Sequence, residues 1–126
     1  MVRAALRRVI RSAGGFEVVG EGAAFELALE DAPRLGPDII VFDPFYDGEA
    51  GIRGLARLSL HLPSSSILVA TADEERAGSE LQVGGNLRAL VSKDGEPDDL
   101  VRGLRAACDG AWFVCPRIAR RKHSNG

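Results

Sequence analysis

Apolar residues in this chain fall into short runs that are separated by stretches with helical spacing. Three runs, PDIIVFD, SSILVAT and RALVSK, lie at 37–43, 65–71 and 88–93, and a shorter one, FEVVGE, lies at 16–21. In chain order the middle two runs are PDIIVFD and SSILVAT, and both are continuously apolar. Such runs are typical of strands that are buried on both faces of a sheet. The pattern therefore predicts four strands.

Helical spacing fills the intervals between these strands. The segment at 2–13 carries its apolar residues on one face and its arginines mostly on the other, and Gly14-Gly15 ends it. Four more helices are predicted at 24–35, 52–62, 74–83 and 96–109. Strands that alternate with helices indicate an α/β fold, in which a doubly wound parallel sheet has helices on both faces.

Polar residues stand at the ends of three of these strands. Asp43 ends the second strand, Thr71 ends the third and Lys93 ends the fourth. Because parallel strands end at one edge of the sheet, where ligands of such folds gather, an acid, a hydroxyl and an amine should meet there. This set can bind or accept a phosphoryl group.

Composition narrows the class of protein. The 126 residues are 45% hydrophobic with a formal charge of −2, which fits one domain with a real core and no broad nucleic-acid-binding surface. No apolar run approaches the roughly 20 residues that span a bilayer, and the first ten residues lack the core of a secretion signal, so we expect a cytoplasmic protein. Cys108 and Cys115 form no zinc or disulfide pattern with the two histidines, and we interpret both as structural.

The strand-end pattern resembles the receiver domains of two-component response regulators, in particular the NarL/FixJ-like branch. The resemblance covers residues 2 to about 121. It rests on PDIIVFD with its final acid, ILVAT, LVSKD, the helix EPDDLVRGLRAACDG and the following AWFVCPRIARR. It implies a flavodoxin-like receiver domain at 1–111, with about four strands and five helices, and a C-terminal extension at 112–126 that resembles an interdomain linker.

The resemblance also implies roles for the strand-end residues. Asp43 would be the phosphate acceptor, Lys93 would pair with the phosphate, and Thr71 would reach a phosphoryl oxygen on activation. In the fourth strand, the position where the family usually has Tyr or Phe is Leu90, which cannot swing a hydroxyl or ring in the usual way.

A second departure concerns the family's first strand and its two Mg²⁺-binding acids, which have no counterpart in this sequence. Asp43 alone makes a poor metal site, because Mg²⁺ requires several oxygen ligands. Asp47 and Glu21 are the acids that could substitute. We therefore expect no firmly bound cofactor and a weakened phosphorylation site.

Without the family's first strand, a slot should open between FEVVGE and PDIIVFD. Each buried backbone group left without a partner would cost about 1–3 kcal/mol. Three explanations stay open: the two strands pair directly, a partner chain donates a strand, or Met1 is a truncated or misplaced start. The first two favour a rearranged four-stranded sheet or a homodimer.

The leading functional interpretation is a receiver-like signalling domain, not an enzyme, that acts through protein–protein contacts with a degenerate or weakened phosphorylation site. Its partner would be a histidine kinase or another signalling protein. The alternative is an ordinary phospho-accepting transcription regulator seen as a fragment, and nucleic acid is not an expected ligand without an attached DNA-binding domain. A hydrolase that uses Asp43 and Lys93 is disfavoured, because the chain lacks a nucleophile elbow and a glycine-rich phosphate loop.

Overall fold

The computed structural model describes residues 3–22, 25–46 and 49–125. In these parts the helices are α1 (Arg3–Ala13), α2 (Phe25–Leu35), α3 (Glu49–His61), α4 (Glu74–Glu80), α5 (Pro97–Cys108) and α6 (Pro116–Asn125). The strands are β1 (Ile39–Phe42), β2 (Ser66–Thr71), β3 (Leu87–Ser92) and β4 (Phe113–Val114). No helix within the described residues is both long enough and apolar enough to cross a membrane.

The four strands form one sheet in the order β1-β2-β3-β4, and all neighbours are parallel. The central register places Phe42 beside Val69 and Thr71 beside Ser92. The predicted α/β class with a parallel sheet is confirmed. The carboxyl ends of β1, β2 and β3 therefore lie at one edge, as the sequence pattern requires.

Helices cover both faces of the sheet. On one face, α1 and α5 pack through Leu6, Val9, Leu100 and Leu104 onto a core cluster that includes Leu68. On the other face, α2, α3, α4 and α6 contribute to a second cluster, whose members include Leu29, Leu58, Ala77, Ile118, Ile67 and Val69. Because β2 and β3 are buried from both sides, their sequences show no polar alternation.

The strand predicted at 16–21 is not formed, so this prediction was wrong. Its alternating pattern is real, because Phe16 and Val18 are half-buried while Glu17 and Val19 are exposed. A strand, however, is defined by hydrogen bonds to a neighbouring strand, and the sheet as described pairs β1 with β2 only. Direct pairing of this segment with β1, one of the open explanations, is therefore not observed.

The fourth strand is instead β4, which the sequence pattern did not predict. Phe113 and Val114 lie beside Ala89 and Leu90 of β3, and the Cys115 N–H donates to the Leu90 carbonyl over 2.9 Å. The chain then enters α6, where Ile118 is fully buried. Cys115 and Ile118 are thus packed into the core that the sheet and its helices form.

One close approach fixes the loop that follows β1. Pro44 is buried, and its carbonyl lies so near Gly51 in α3 that a Cβ at this position would overlap the carbonyl oxygen. Because the obstacle is backbone, no side-chain rotation can relieve it. Glycine at position 51 therefore lets α3 pack directly behind Asp43.

We predict that Gly51→Ala lowers the free energy of unfolding by roughly 1–3 kcal/mol, the usual range for overpacking. The gain in helix propensity, up to about 1 kcal/mol, would not offset this overlap. Gly84→Ala is the matched control, because nothing lies within 4 Å of a Cβ there. Equal stabilities of the two variants in urea denaturation would contradict the described packing of α3.

Candidate functional site

The three strand-end residues lie at the carboxyl edge of the sheet. Asp43 follows β1, Thr71 is the last residue of β2, and Lys93 follows β3. The backbone N–H of Lys93 donates to the Thr71 carbonyl over 2.8 Å, which continues the β2–β3 pairing to the edge. This pairing determines which side chains face each other above the strands.

The structure brings Asp43 and Lys93 into direct contact across the end of β2. The Lys93 ammonium donates from Nζ to Asp43 Oδ2 over 2.9 Å, and the Lys93 and Asp43 side chains are only 17% and 15% exposed, respectively. The second carboxylate oxygen, Oδ1, accepts the backbone N–H of Phe45 over 3.1 Å. The carboxylate is thus held by a cation and a backbone donor, and charge-assisted contacts of this kind are stronger than neutral ones.

Thr71 lies at the same edge but serves the start of α4 in this state. Its Oγ1 accepts the backbone N–H of Asp73 over 3.1 Å, and Asp73 caps α4 by accepting the N–H of Arg76. The hydroxyl is almost completely buried. No described hydrogen bond joins Thr71 Oγ1 to Asp43, so of the three predicted residues only Asp43 and Lys93 are joined through their side chains, while Thr71 contacts Lys93 through the backbone.

Aromatic side chains from the loop after β1 flank Asp43 and Lys93, and the region around these two side chains is called the Asp43–Lys93 pocket below. The Arg76 guanidinium lies over the Phe45 ring, 4.5 Å from its centroid, and Lys93 Nζ lies 6.0 Å from the centroid of Tyr46. Tyr46 is 78% exposed. A cation that lies over an aromatic face is attracted by the ring, so these contacts hold the loop beside Asp43 and Lys93.

The described residues place no cluster of acids around Asp43 that could hold a Mg²⁺ ion. They contain no group of three or more His, Cys, Asp or Glu side chains that could hold a metal. Both oxygens of Asp43 already have partners, and Glu21 is engaged by Arg7 over 2.7 Å and by Arg3 on α1. Asp47, the other acid considered, lies outside the described residues. Among the described residues, the cationic partner of Asp43 is therefore Lys93.

A buried acid beside the pocket was missed by the sequence analysis. Glu74, the first residue of α4, accepts the Ser92 hydroxyl over 2.6 Å and the Arg117 guanidinium, and Arg121 lies 3.8 Å away. Burial opposes ionisation of this carboxyl, but the hydrogen bonds from Ser92 and Arg117 and the nearby positive charges outweigh it, so its pKa lies below the ordinary value.

Both of these cations, Arg117 and Arg121, come from α6. A useful signal was available in the order of residues: Glu74 comes three residues after Thr71, and Ser92 comes directly before Lys93. Two polar residues next to two strand ends are placed by topology at the same edge. The sequence does not reveal which cation would reach Glu74, because Arg117 lies 43 residues away.

Comparison with known proteins places these features in a wider context. No family model matches the chain. It is 32% identical over 116 residues to the nitrate/nitrite response regulator protein NarL of Escherichia coli (strain K12), which covers 90% of this chain and 53% of NarL. It is 22% identical over 121 residues to the response regulator UvrY of the same strain, which covers 96% of this chain and 56% of UvrY. The chain thus spans about half the length of the curated relatives it matches.

Solved structures of one further protein share the fold. The response regulator RcsB of Salmonella typhimurium superposes with a TM-score of 0.82 and 25% identity, over 94% of this chain and 58% of that one. The isolated REC domain of RcsB with the phosphomimetic BeF3⁻ gives a TM-score of 0.80 and 25% identity, over 92% of this chain and 86% of that one. The structural similarity to this isolated domain therefore extends over most of both chains.

We predict that Asp43 and Lys93 are energetically coupled. In a double-mutant cycle of Asp43→Asn and Lys93→Met, each single change should destabilise the fold, because it leaves a shielded charge without its main partner. The double variant should lose less than the sum, with a coupling of about 1–2 kcal/mol. Urea denaturation of the four proteins measures it.

The exposed pair Arg34 and Asp31, whose side chains are 3.3 Å apart, is the matched control. Asp31→Asn with Arg34→Met should give a coupling below about 0.5 kcal/mol, as surface helix pairs do. Additive losses for Asp43 and Lys93, no larger than the control, would contradict the described contact.

Proposed function

This chain belongs to the receiver domains of response regulators, related to NarL, UvrY and RcsB, and we propose that it acts as a receiver whose aspartyl phosphorylation is weakened. Receivers are signalling domains rather than enzymes. The observation that carries the proposal is the contact between Asp43 and Lys93 at the carboxyl edge, together with the absence of a metal-holding set of acids among the described residues.

We assign Asp43 the role of phosphate acceptor. One carboxylate oxygen would attack the phosphorus of a phosphohistidine on a partner histidine kinase, forming an acyl phosphate while the P–N bond breaks and its electrons pass to the imidazole. Lys93, which now neutralises the carboxylate, would neutralise a phosphoryl oxygen instead. Thr71, at the same edge, would donate its hydroxyl to another of these oxygens.

The weakness of the reaction follows from the charges in the pocket. A dianionic phosphoryl group that approaches a carboxylate needs more than one positive charge to offset repulsion, and metal ions normally supply it in phosphoryl transfer. Lys93 supplies a single charge, and the described residues contain no group of three or more His, Cys, Asp or Glu side chains that could hold a metal ion beside it. Residue 90, in β3, is a fully buried leucine. It has neither the ring nor the hydroxyl that an aromatic switch requires.

The second candidate is a fully phospho-accepting regulator of transcription. Its support is the similarity to NarL and the extension at 112–126, which resembles a linker to a further domain. Under either candidate we expect a cytoplasmic protein that contacts proteins, with nucleic acid bound only through an attached DNA-binding domain. The extent to which Asp43 is phosphorylated separates the two.

We also propose that the chain forms a homodimer through the outer edge of β1. Asp38 accepts the Ser66 N–H over 2.9 Å, so Asp38 and every second residue after it direct their backbone groups toward β2. The N–H and C=O groups of Ile39 and Val41 therefore face away from the sheet. An outer edge of this kind is a template for pairing, and two β1 edges can pair about a twofold axis.

For phosphorylation, we expect incubation with acetyl phosphate and Mg²⁺ to leave most of the protein unmodified, because Lys93 is the only assigned counter-charge. Intact-mass spectrometry measures the fraction that gains one phosphate. Whatever fraction is modified should disappear in Asp43→Ala. Stoichiometric modification that Asp43→Ala abolishes would favour the second candidate, and modification that survives this change would refute the assignment of Asp43.

For association, we expect sedimentation at micromolar concentration to give a mass above the 13.4 kDa of one chain. Val41→Pro should restore the monomer, because proline removes an outward-facing N–H that the sheet itself does not use. Val41→Ala is its control, since it shortens the same side chain but keeps the donor. A monomeric wild type, or a dimer that Val41→Pro leaves unchanged, would exclude pairing through β1.

A further inference from the structure

Helix α6 lies against α4 at very close range. Ile118 and Cys115 are fully buried in the cluster that contains Ala77 of α4. A Cβ on Gly78 would lie 2.6 Å from the Cβ of Arg121, so only a glycine at position 78 permits this approach. The two helices therefore share a small apolar contact, and their backbones approach closely at Gly78.

Ionic contacts hold both ends of α4 to α6. At the N-terminal end, Glu74 accepts the Arg117 guanidinium, while Arg121 lies 3.8 Å from Glu74 and 3.6 Å from Glu75. At the C-terminal end, the Lys122 ammonium donates to the carbonyl of Gly78 over 3.3 Å and to that of Leu81. A cation at the last carbonyls of a helix complements the helix dipole, so α6 clamps α4 along its length.

The same short helix also borders the Asp43–Lys93 pocket. Glu74 accepts the hydroxyl of Ser92, whose Oγ in turn accepts the N–H of Asp94, so this carboxylate braces the two residues on either side of Lys93. Asp73, directly before Glu74, donates its N–H to Thr71. One buried carboxylate therefore contacts the peptide segment of Lys93 on one side and α6 on the other.

We propose that Glu74 is a positioning residue that couples the docking of α6 to the Asp43–Lys93 pocket. When Arg117 holds Glu74, Ser92 is fixed and Lys93 is presented to Asp43. When the pocket changes, the start of α4 and the Ser92 segment shift, and Glu74 loses its alignment with Arg117. Because coupling between two sites is reciprocal, loosening either end must loosen the other. The inference deepens the proposed receiver function and rests on it for its biological meaning, but the coupling itself needs no phosphorylation.

The chain offers a direct readout, because Lys93 and Lys122 are its only two lysines. The reactivity of Lys93 measures how often its hydrogen bond to Asp43 opens. The reactivity of Lys122 measures how often α6 separates from α4, because Lys122 is hydrogen-bonded to α4. Acetylation with an N-hydroxysuccinimide ester, followed by peptide mass spectrometry, gives the two rates separately. An amine that is shielded and hydrogen-bonded reacts only after local opening.

In Arg117→Gln, we expect acetylation of Lys122 to rise on the order of tenfold, the usual effect of losing a charged hydrogen bond. Acetylation of Lys93 should rise as well, by about twofold or more, which corresponds to a coupling of roughly 0.5 kcal/mol. In Asp43→Asn, both acetylation rates should rise again, but the larger increase should now be at Lys93. Glu74→Gln should raise both rates, and Arg117→Lys, which keeps the cation, should restore most of the protection.

Two controls separate coupling from general loosening. Arg102→Gln removes an exposed arginine from α5 and should change neither rate. Gly103→Ala crowds α5 against Leu68 and Val91, so it reports how a comparable loss of stability affects both lysines.

The outcomes are distinguishable. If Arg117→Gln releases Lys122 while Lys93 keeps its wild-type rate, Glu74 does not couple the two sites and the inference is overturned, although the receiver function stands. If Asp43→Asn leaves the acetylation rate of Lys93 unchanged, Asp43 and Lys93 are not paired as described. This result would overturn the proposed function as well as the coupling. Increases no larger than those in Gly103→Ala would likewise overturn the coupling.

Discussion

The ion pair between Asp43 and Lys93 is the contact around which the carboxyl edge of the sheet is organised. It joins residues that follow two strands separated by β2, so it forms only if β1, β2 and β3 are parallel and in the observed register. Two charges that are largely shielded from water must compensate each other, and the Phe45 N–H satisfies the remaining carboxylate oxygen. The position of the loop after β1, and of Pro44 against Gly51, follows from this arrangement.

Helix α4 lies between the Asp43–Lys93 pair and α6 and contacts both regions. It begins beside Thr71, and its first residue, Glu74, lies between Ser92 and Arg117. Helix α4 is only seven residues long, and a helix this short is not stable by itself. It depends on α6 for a large part of its packing. A change at the pocket therefore has a short structural route to α6, the element that leads toward the C-terminal end of the chain.

The sequence predicted the parts of this structure that depend on local pattern. Continuously apolar runs at 37–43 and 65–71 indicated a buried parallel sheet, and topology alone then placed Asp43, Thr71 and Lys93 at one edge. The strand expected at 16–21 failed because alternation describes how side chains are buried, whereas a strand also needs a neighbour with which to pair. Arg117 could not be matched to Glu74, since a contact across 43 residues depends on how α6 packs.

We propose that Lys93, rather than a metal ion, is the cation that pairs with Asp43. An NMR titration with Mg²⁺ tests it directly through the amide of Phe45, which donates to Asp43, and the amide of Lys93. We expect neither amide to show a saturable shift at millimolar Mg²⁺. A saturable shift of both signals that is lost in Asp43→Asn would contradict it, and would show that further oxygen ligands complete a metal site at this edge.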